Sequence, residues 1–180
     1  MYRDSQDEPR VITDRERSRE RTMNRAVRLL AAKPRSVREL RDRLLEKPWT
    51  DDAIVDAVIE KLAEYKYLDD EQFARDFAVS KLRQSPQGKR RLQQSMSRKK
   101  LDKDVVEAAI ANAFEEAPEE GLIDLAIQKR LRIKGKPKTR DDAKKFYDHL
   151  LRRGFSYDLV RTKMSLIAAG AYDPSEEDQL

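Results

Sequence analysis

Tyr65-Lys66-Tyr67-Leu68-Asp69-Asp70-Glu71-Gln72-Phe73-Ala74 ends one helical pattern and begins another. Tyr67 and Leu68 put apolar side chains at a junction where polar turn residues are the ordinary choice. Asp69 is placed as an N-cap, with Gln72 three residues on to reach back to its amide. Phe73, Ala74 and Phe77 then open a new apolar stripe at helical spacing. The stretch reads as an apolar hinge between two helices, and the chain on either side reads as two versions of one module.

Before the hinge, Met23, Ala26, Val27 and Leu30 predict one face of a helix that stops at Pro34. Ser36 and Glu39 have the spacing of a capping box, and Val37, Leu40 and Leu44 follow as a short stripe. Pro48 ends that helix and Trp49 follows. Thr50 can cap the next, with Asp51 and Asp52 at the positive end of its dipole. Its buried line is Ile54, Val58 and Leu62, running into Tyr65.

After the hinge the order recurs. Ser85-Pro86 is read as a helix start, Leu92 and Met96 as a core pair, Asp102 as a cap and Val106, Ala109 and Ile110 as the third stripe. Beyond Pro118 it recurs again. Leu122, Leu125 and Ala126 point inward, residues 133–138 are read as a basic loop, and Thr139 caps with Asp142. Phe146 and Leu150 continue the core, Gly154 stops the helix, and Ser156 caps a last stripe through Val160, Met164 and Ile167.

Shifting the first module by about 52 residues lays Leu40 on Leu92, Trp49 on Leu101, Ile54 on Val106 and Val58 on Ile110. A further shift of about 54 lays Leu92 on Phe146, Leu101 on Phe155, Val106 on Val160 and Ile110 on Met164. Apolar falls on apolar throughout. The expected fold is all-α, an elongated, curved array of three tandem three-helix repeats at residues 22–68, 69–117 and 118–170. Residues 1–21, poor in apolar side chains, are expected to be a disordered or loosely helical tail, and residues 171–180 an acidic one.

Composition agrees. Of 180 residues, 41% are charged and 38% hydrophobic, a thin core supply for a compact globule but suited to an elongated helical chain. Five Gly and seven Pro are too few for an all-β protein. The chain has no Cys, so thiol chemistry and Cys-ligated metals are excluded. With no apolar run of signal or membrane length, a cytosolic protein without membrane contact is expected.

Little here suggests catalysis. The one His, His149, lies on a predicted helix and reads as a surface or boundary residue. Asp51-Asp52, Asp69-Asp70 and Asp141-Asp142 all sit at helix starts, where capping and the dipole account for them. No Walker spacing occurs around Gly135. No cofactor or metal is implied, and the chain is read as a monomeric binding protein, not an enzyme.

Charge distribution is more informative than the net charge of +5. Lys89, Arg90 and Arg91 open one predicted helix, and Arg98, Lys99 and Lys100 close it. Lys129, Arg130, Arg132, Lys134, Lys136 and Lys138 make a second block. Arg38 and Arg41 join these as candidate contacts. A solvated face is the plain explanation; contact with a polyanion or an acidic protein groove is the functional one. Few aromatics accompany the bases, so a stacking platform for single strands has little support.

Tyr67-Leu68-Asp69-Asp70 with Phe73-Ala74 resembles the signature of the RecX family, regulators of the RecA recombinase. Leu40 with Arg41 to Leu44, Gly88 with Lys89 to Leu92, and Arg153-Gly154-Phe155 also match its pattern. The likeness runs from about Arg25 to Ala169. Lys66 and Lys100 depart from it, standing where Gly is usual. The resemblance implies three repeats of three helices that bind the RecA nucleoprotein filament. It also implies suppression of that filament's ATPase, strand-exchange and coprotease activities, and so a role in homologous recombination and the SOS response. The alternative is a sequence-independent DNA-binding or nucleoid-associated helical protein acting without a recombinase, through the same basic patches.

Overall fold

The structure, a computed structural model, describes residues 14–170 and 172. Among these residues there are nine α-helices and no strand. They are α1 (Arg15–Ala32), α2 (Val37–Leu45), α3 (Asp52–Glu64), α4 (Asp70–Gln84), α5 (Lys89–Ser97), α6 (Lys103–Glu116), α7 (Glu119–Lys134), α8 (Arg140–Arg152) and α9 (Tyr157–Ala168). The chain divides into two compact units. One comprises residues up to Phe73 together with Lys99–Leu101; the other comprises Ala74–Arg98 and the chain from Asp102 onward.

In the first unit α1, α2 and α3 pack on one another around Ala26, Leu40, Leu44, Val55, Val58, Leu62 and Leu68. The equivalent positions of the second unit are also closed to solvent: Leu92 and Phe146 match Leu40, Val106 and Val160 match Ile54, and Ile110 matches Val58. The repeat seen in the letters is thus a repeat of packing at these positions, while Met164, which matches Val58, and Trp49 and Leu101, which match buried Phe155, are only partly covered.

Local signals carry most element boundaries. Asp69 Oδ1 accepts from Gln72 N–H at 2.9 Å, and Asp51 Oδ1 accepts from Ile54 N–H at 2.8 Å. Thr139 and Asp142 complete a capping box at the start of α8. The hydrogen bond to Thr139 holds the Asp142 carboxyl below its ordinary pKa.

Where α3 ends, Tyr67 N–H bonds Leu62 O and Lys66 N–H bonds Ala63 O, both at 2.9 Å. This is a Schellman closure, which needs a left-handed residue at its pivot. Lys66 supplies it with φ 60°, and Lys100 is also left-handed with φ 54°. Both are positions where the family resemblance calls for Gly, and the backbone adopts the glycine conformation regardless. A Cβ in this region carries a steric cost that Gly lacks. Lys66→Gly is therefore expected to raise stability by about 0.5–1 kcal/mol, readable as a higher urea midpoint at unchanged m-value.

Several expectations are corrected. Seven residues assigned to the N-terminal tail, Arg15 to Arg21, lie in α1; the rest of that tail, and the C-terminal one apart from Tyr172, fall outside the described residues. Val27, Tyr65 and Leu125, expected to face inward, are 49%, 60% and 51% exposed. Tyr67 is 69% exposed, so Leu68 alone is the buried half of the hinge. Pro86 does not open α5, which starts at Lys89 with Gly88 as N-cap. Ile133 and Lys134 belong to the last turn of α7, so the basic loop begins at Gly135.

Candidate functional site

The signature residues build a junction in the first unit. Asp69 caps its own helix, α4. Asp70 reaches away from it: its Oδ1 accepts from Val37 N–H, the first amide of α2, at 2.8 Å. Ser36 Oγ accepts from Glu39 N–H at 3.2 Å and donates to Lys99 O at 2.5 Å. The expected return of Glu39 to Ser36 is redirected, since both its carboxylate oxygens sit on Lys99 Nζ at 3.1 and 3.4 Å. Lys99 Nζ also lies 5.8 Å from the Phe73 ring centroid. The pair's side chains are only 12% and 20% exposed. Lys100 pairs with Asp42 beside it.

The same junction recurs in the second unit with altered chemistry. Gly88 stands where Ser36 stands, and Arg153 where Lys99 does. Gly88 N–H donates to Arg153 O at 3.0 Å, so a carbonyl is again tied to the residue before a helix. The approach is closer here. A Cβ on Gly88 would lie 2.3 Å from Gly154 O, and one on Gly154 would lie 2.5 Å from Arg91 N. In place of the acid Glu39, this junction has Arg91, whose Nη1 donates to Arg152 O at 3.2 Å. Arg153 Nη1 donates to Ser85 Oγ and to Pro86 O.

Four cations expected to be free for a partner are therefore committed internally. Lys99 and Lys100 pair with Glu39 and Asp42. Arg41 bridges Asp52 at 2.6 Å and Asp56 at 3.0 Å, and these bonds raise its pKa further. Arg130 stacks over Phe146 at 5.1 Å and bonds Lys145 O. Arg38 and Arg98 are exposed, on α2 and at the end of α5.

Two exposed groups remain, and helix polarity separates them. Arg132 and Lys134 occupy the last turn of α7, where the negative end of the dipole favours cations without any partner. Lys129 is exposed on the same helix, and Lys136 and Lys138 follow in the loop. Lys89, Arg90 and Arg91 instead fill the first turn of α5, which has no acid and no side-chain cap. There the dipole opposes them, at a cost of about 0.3–1 kcal/mol each. Among the described residues, none of the salt bridges involves Lys89, Arg90, Arg91, Arg152 or Arg153. A single carboxylate meets the cluster's backbone, Glu119 Oε1 accepting from Lys89 N–H at 3.1 Å. The local field registers on His149, whose pKa is pushed down to about 4, first by burial and then by Arg130, Arg153 and Arg152. His149 is thus a half-buried neutral side chain at pH 7 and not a proton donor.

No group of carboxylates and His suited to a metal occurs among the described residues, and no helix there is long and apolar enough to cross a membrane.

Family models described as the first and second three-helix domains of RecX match residues 23–62 and 69–110. The chain is similar to the regulatory protein RecX of Clostridium botulinum (strain Eklund 17B / Type B), with 31% identity over 140 residues, 76% of this chain and 63% of that one. It is 30% identical to that of Bacillus velezensis over 89% of this chain and 60% of the relative. With that of Prosthecochloris aestuarii the identity is 30% over 78% of this chain and 89% of the relative. The chain thus spans about three fifths of the first two relatives (63% and 60%) and most of the third. The crystal structure of RecX from Lactobacillus salivarius superposes with a TM-score of 0.70 at 20% identity, covering 87% of this chain and 97% of that one. Helix order, signature and relatives converge: the chain belongs to the RecX family of regulatory proteins.

Proposed function

We propose that this protein binds the RecA nucleoprotein filament and inhibits its ATPase, strand-exchange and coprotease activities, thereby modulating recombination and DNA repair. Family membership supports the regulatory role. The observation that carries the contact is the cationic first turn of α5, held against its own helix dipole beside Arg152 and Arg153. Such an arrangement costs stability in the free protein, and an anionic partner relieves it. Each contact is individually weak, so affinity for a filament comes from several contacts made together on neighbouring subunits. Inhibition then follows from binding one filament state better than the state that extends or hydrolyses.

The test is Lys89→Ala with Arg90→Ala and Arg91→Ala. The alanine at 91 keeps the Cβ beside Gly154, and removal of cations from a helix start offsets the loss of the exposed 3.2 Å bond from Arg91 to Arg152 O, with urea unfolding of the variant as the check on its fold. Binding is expected to weaken by about 1–2 kcal/mol, roughly tenfold. Recombinase ATPase measured against inhibitor concentration reports it. Full inhibition by the triple variant would remove this patch from the contact. The patch also suits duplex phosphates, so the second reading is direct DNA binding; steeply salt-dependent binding to bare duplex with no effect on the ATPase favours it.

A further inference from the structure

A groove of about 930 Å³ lies in the second unit, walled by the α7–α8 loop, the first half of α8 and the last two turns of α9. On α8 it takes Arg140, Ala143, Lys144 and Tyr147, and on α9 it takes Arg161, Met164, Ser165 and Ala168. Each set runs i, i+3, i+4, i+7, a single stripe of its helix. The repeat register shows what these stripes correspond to. Arg161 falls on Val55 and Ala168 on Leu62. Val55 and Leu62 are 0% and 2% exposed and share one cluster with Ala26 of α1 and with Leu68. In α9 the same two positions are exposed. A core surface of the first module thus returns in the third with its leucine cut to alanine and its valine replaced by a cation.

The rim is cationic. Among the described residues, Lys136, Arg140 and Lys144 enter no salt bridge, and Arg161 has Asp158 at a loose 3.9 Å. Arg140 and Lys144 are like charges one turn apart, and Arg140 is the first residue of α8, where the dipole opposes it. Asp141, the acid of the lining, is taken by Lys145 at 2.6 Å. Beneath the cations the floor is Met164, Ile167, alanines and Tyr147. The Tyr147 hydroxyl is closed to solvent and its ring lies edge-on to Tyr157, so it gives the groove carbon and no polar handle. An occupant that satisfies both layers needs carboxylates above and apolar side chains below. Duplex phosphates meet the rim but leave the floor in water, and the floor lacks the exposed rings on which unpaired bases stack. An amphipathic helix has the required layering at the spacing of the two walls. We propose that the groove docks an acidic amphipathic helix of a partner protein, on the surface that the first module covers with α1 and Leu68. The proposal rests on the groove alone and not on the contact at α5.

The probe is a fluorescent synthetic helix of Glu, Ala and Leu, with its leucines on one face, added to the full chain. It is expected to bind saturably and to shift the amide resonances of Lys144, Met164 and Ala168. Arg140→Ala with Lys144→Ala should weaken binding roughly tenfold. Ala168→Leu restores the leucine of the first module and fills the floor, so it should weaken binding by a similar factor. Ala168 is exposed, so this variant should not lower the urea midpoint. Equal binding by a probe with serine for leucine would make the surface a general anion face and overturn the proposal, as would a short DNA duplex that shifts the same resonances. A probe that does not bind, or that ignores both variants, would also overturn it. Groove resonances that move on dilution of the chain alone would assign the surface to a second copy. Resonances that move when Asp173, Glu176, Glu177 and Asp178 are changed to their amides would assign it to the chain's own acids. Either result overturns a partner helix. None of these measurements involves a recombinase, so their failure and that of the filament reading are separate.

Discussion

Gly88→Ala is expected to lower stability by about 3 kcal/mol, roughly 6–12 °C in Tm. The cause is steric, since Gly88 has an ordinary φ of −79° that alanine adopts freely. The added Cβ would lie 2.3 Å from Gly154 O and 2.4 Å from Gly154 C and Phe155 N. All three are backbone atoms, so no side chain can swing aside. Relief requires α5 to move off the α8–α9 turn, which also stretches the 3.0 Å bond from Gly88 N–H to Arg153 O. Gly121→Ala is the matched control. No atom lies within 4 Å of its Cβ position and it sits inside α7, so it should be neutral or stabilising by up to about 1 kcal/mol. Thermal unfolding followed by circular dichroism compares the two. A Gly88→Ala chain that melts with the wild type would show that the two backbones are not in contact in solution.

That contact marks the limit of what the letters disclose. Caps are mostly legible because donor and acceptor lie within one turn: Asp69 accepts from Gln72 N–H, Thr139 from Asp142 N–H and Ser156 from Leu159 N–H, whereas Thr50 yields the cap of α3 to Asp51 and Asp102 makes no side-chain cap bond. Core stripes are legible at their centres, as at Leu40, Leu92 and Phe146, and fail at their edges. An inward stripe covers only part of a helix's circumference, so a residue one step to the side, such as Val27 or Leu125, turns to solvent. What stays hidden is pairing across long separations. Nothing near Asp70 says that its carboxylate meets Val37, and nothing near Lys99 distinguishes it from Arg98. A count of bases therefore merges cations with opposite fates. The repeat register holds the missing signal: it aligns Ser36 with Gly88 and Lys99 with Arg153, the residues joined at the two junctions. Comparing them shows acid Glu39 at the first junction and Arg91 at the second. That exchange separates a cluster neutralised from within from one left for a partner.

A second buried ion pair tests how far charge organises the other unit. Lys163 Nζ lies 2.5 Å from Asp124 Oδ2, and the two side chains are 14% and 12% exposed. The sequence places Asp124 beside exposed Leu125 in a helix with little amphipathic contrast, so nothing local marks it as internal. Asp124 also has its carbonyl oxygen bonded by Tyr172 OH at 3.3 Å. Lys163→Met removes the ammonium and strands the carboxylate of Asp124, a residue 8% exposed, without its cation. The expected cost is about 3 kcal/mol or more, since breaking one half of a buried pair leaves the other desolvated. Asp124→Leu should cost less, because a lysine stem is long enough to carry its ammonium toward water whereas a short carboxylate cannot follow. The double variant should recover most of the loss, as an apolar pair of similar volume carries no desolvation penalty. Urea unfolding of the four chains gives the coupling directly, expected at about 2 kcal/mol. Simple additivity would mean that water already reaches both groups and that the pair contributes nothing to the stability of this unit.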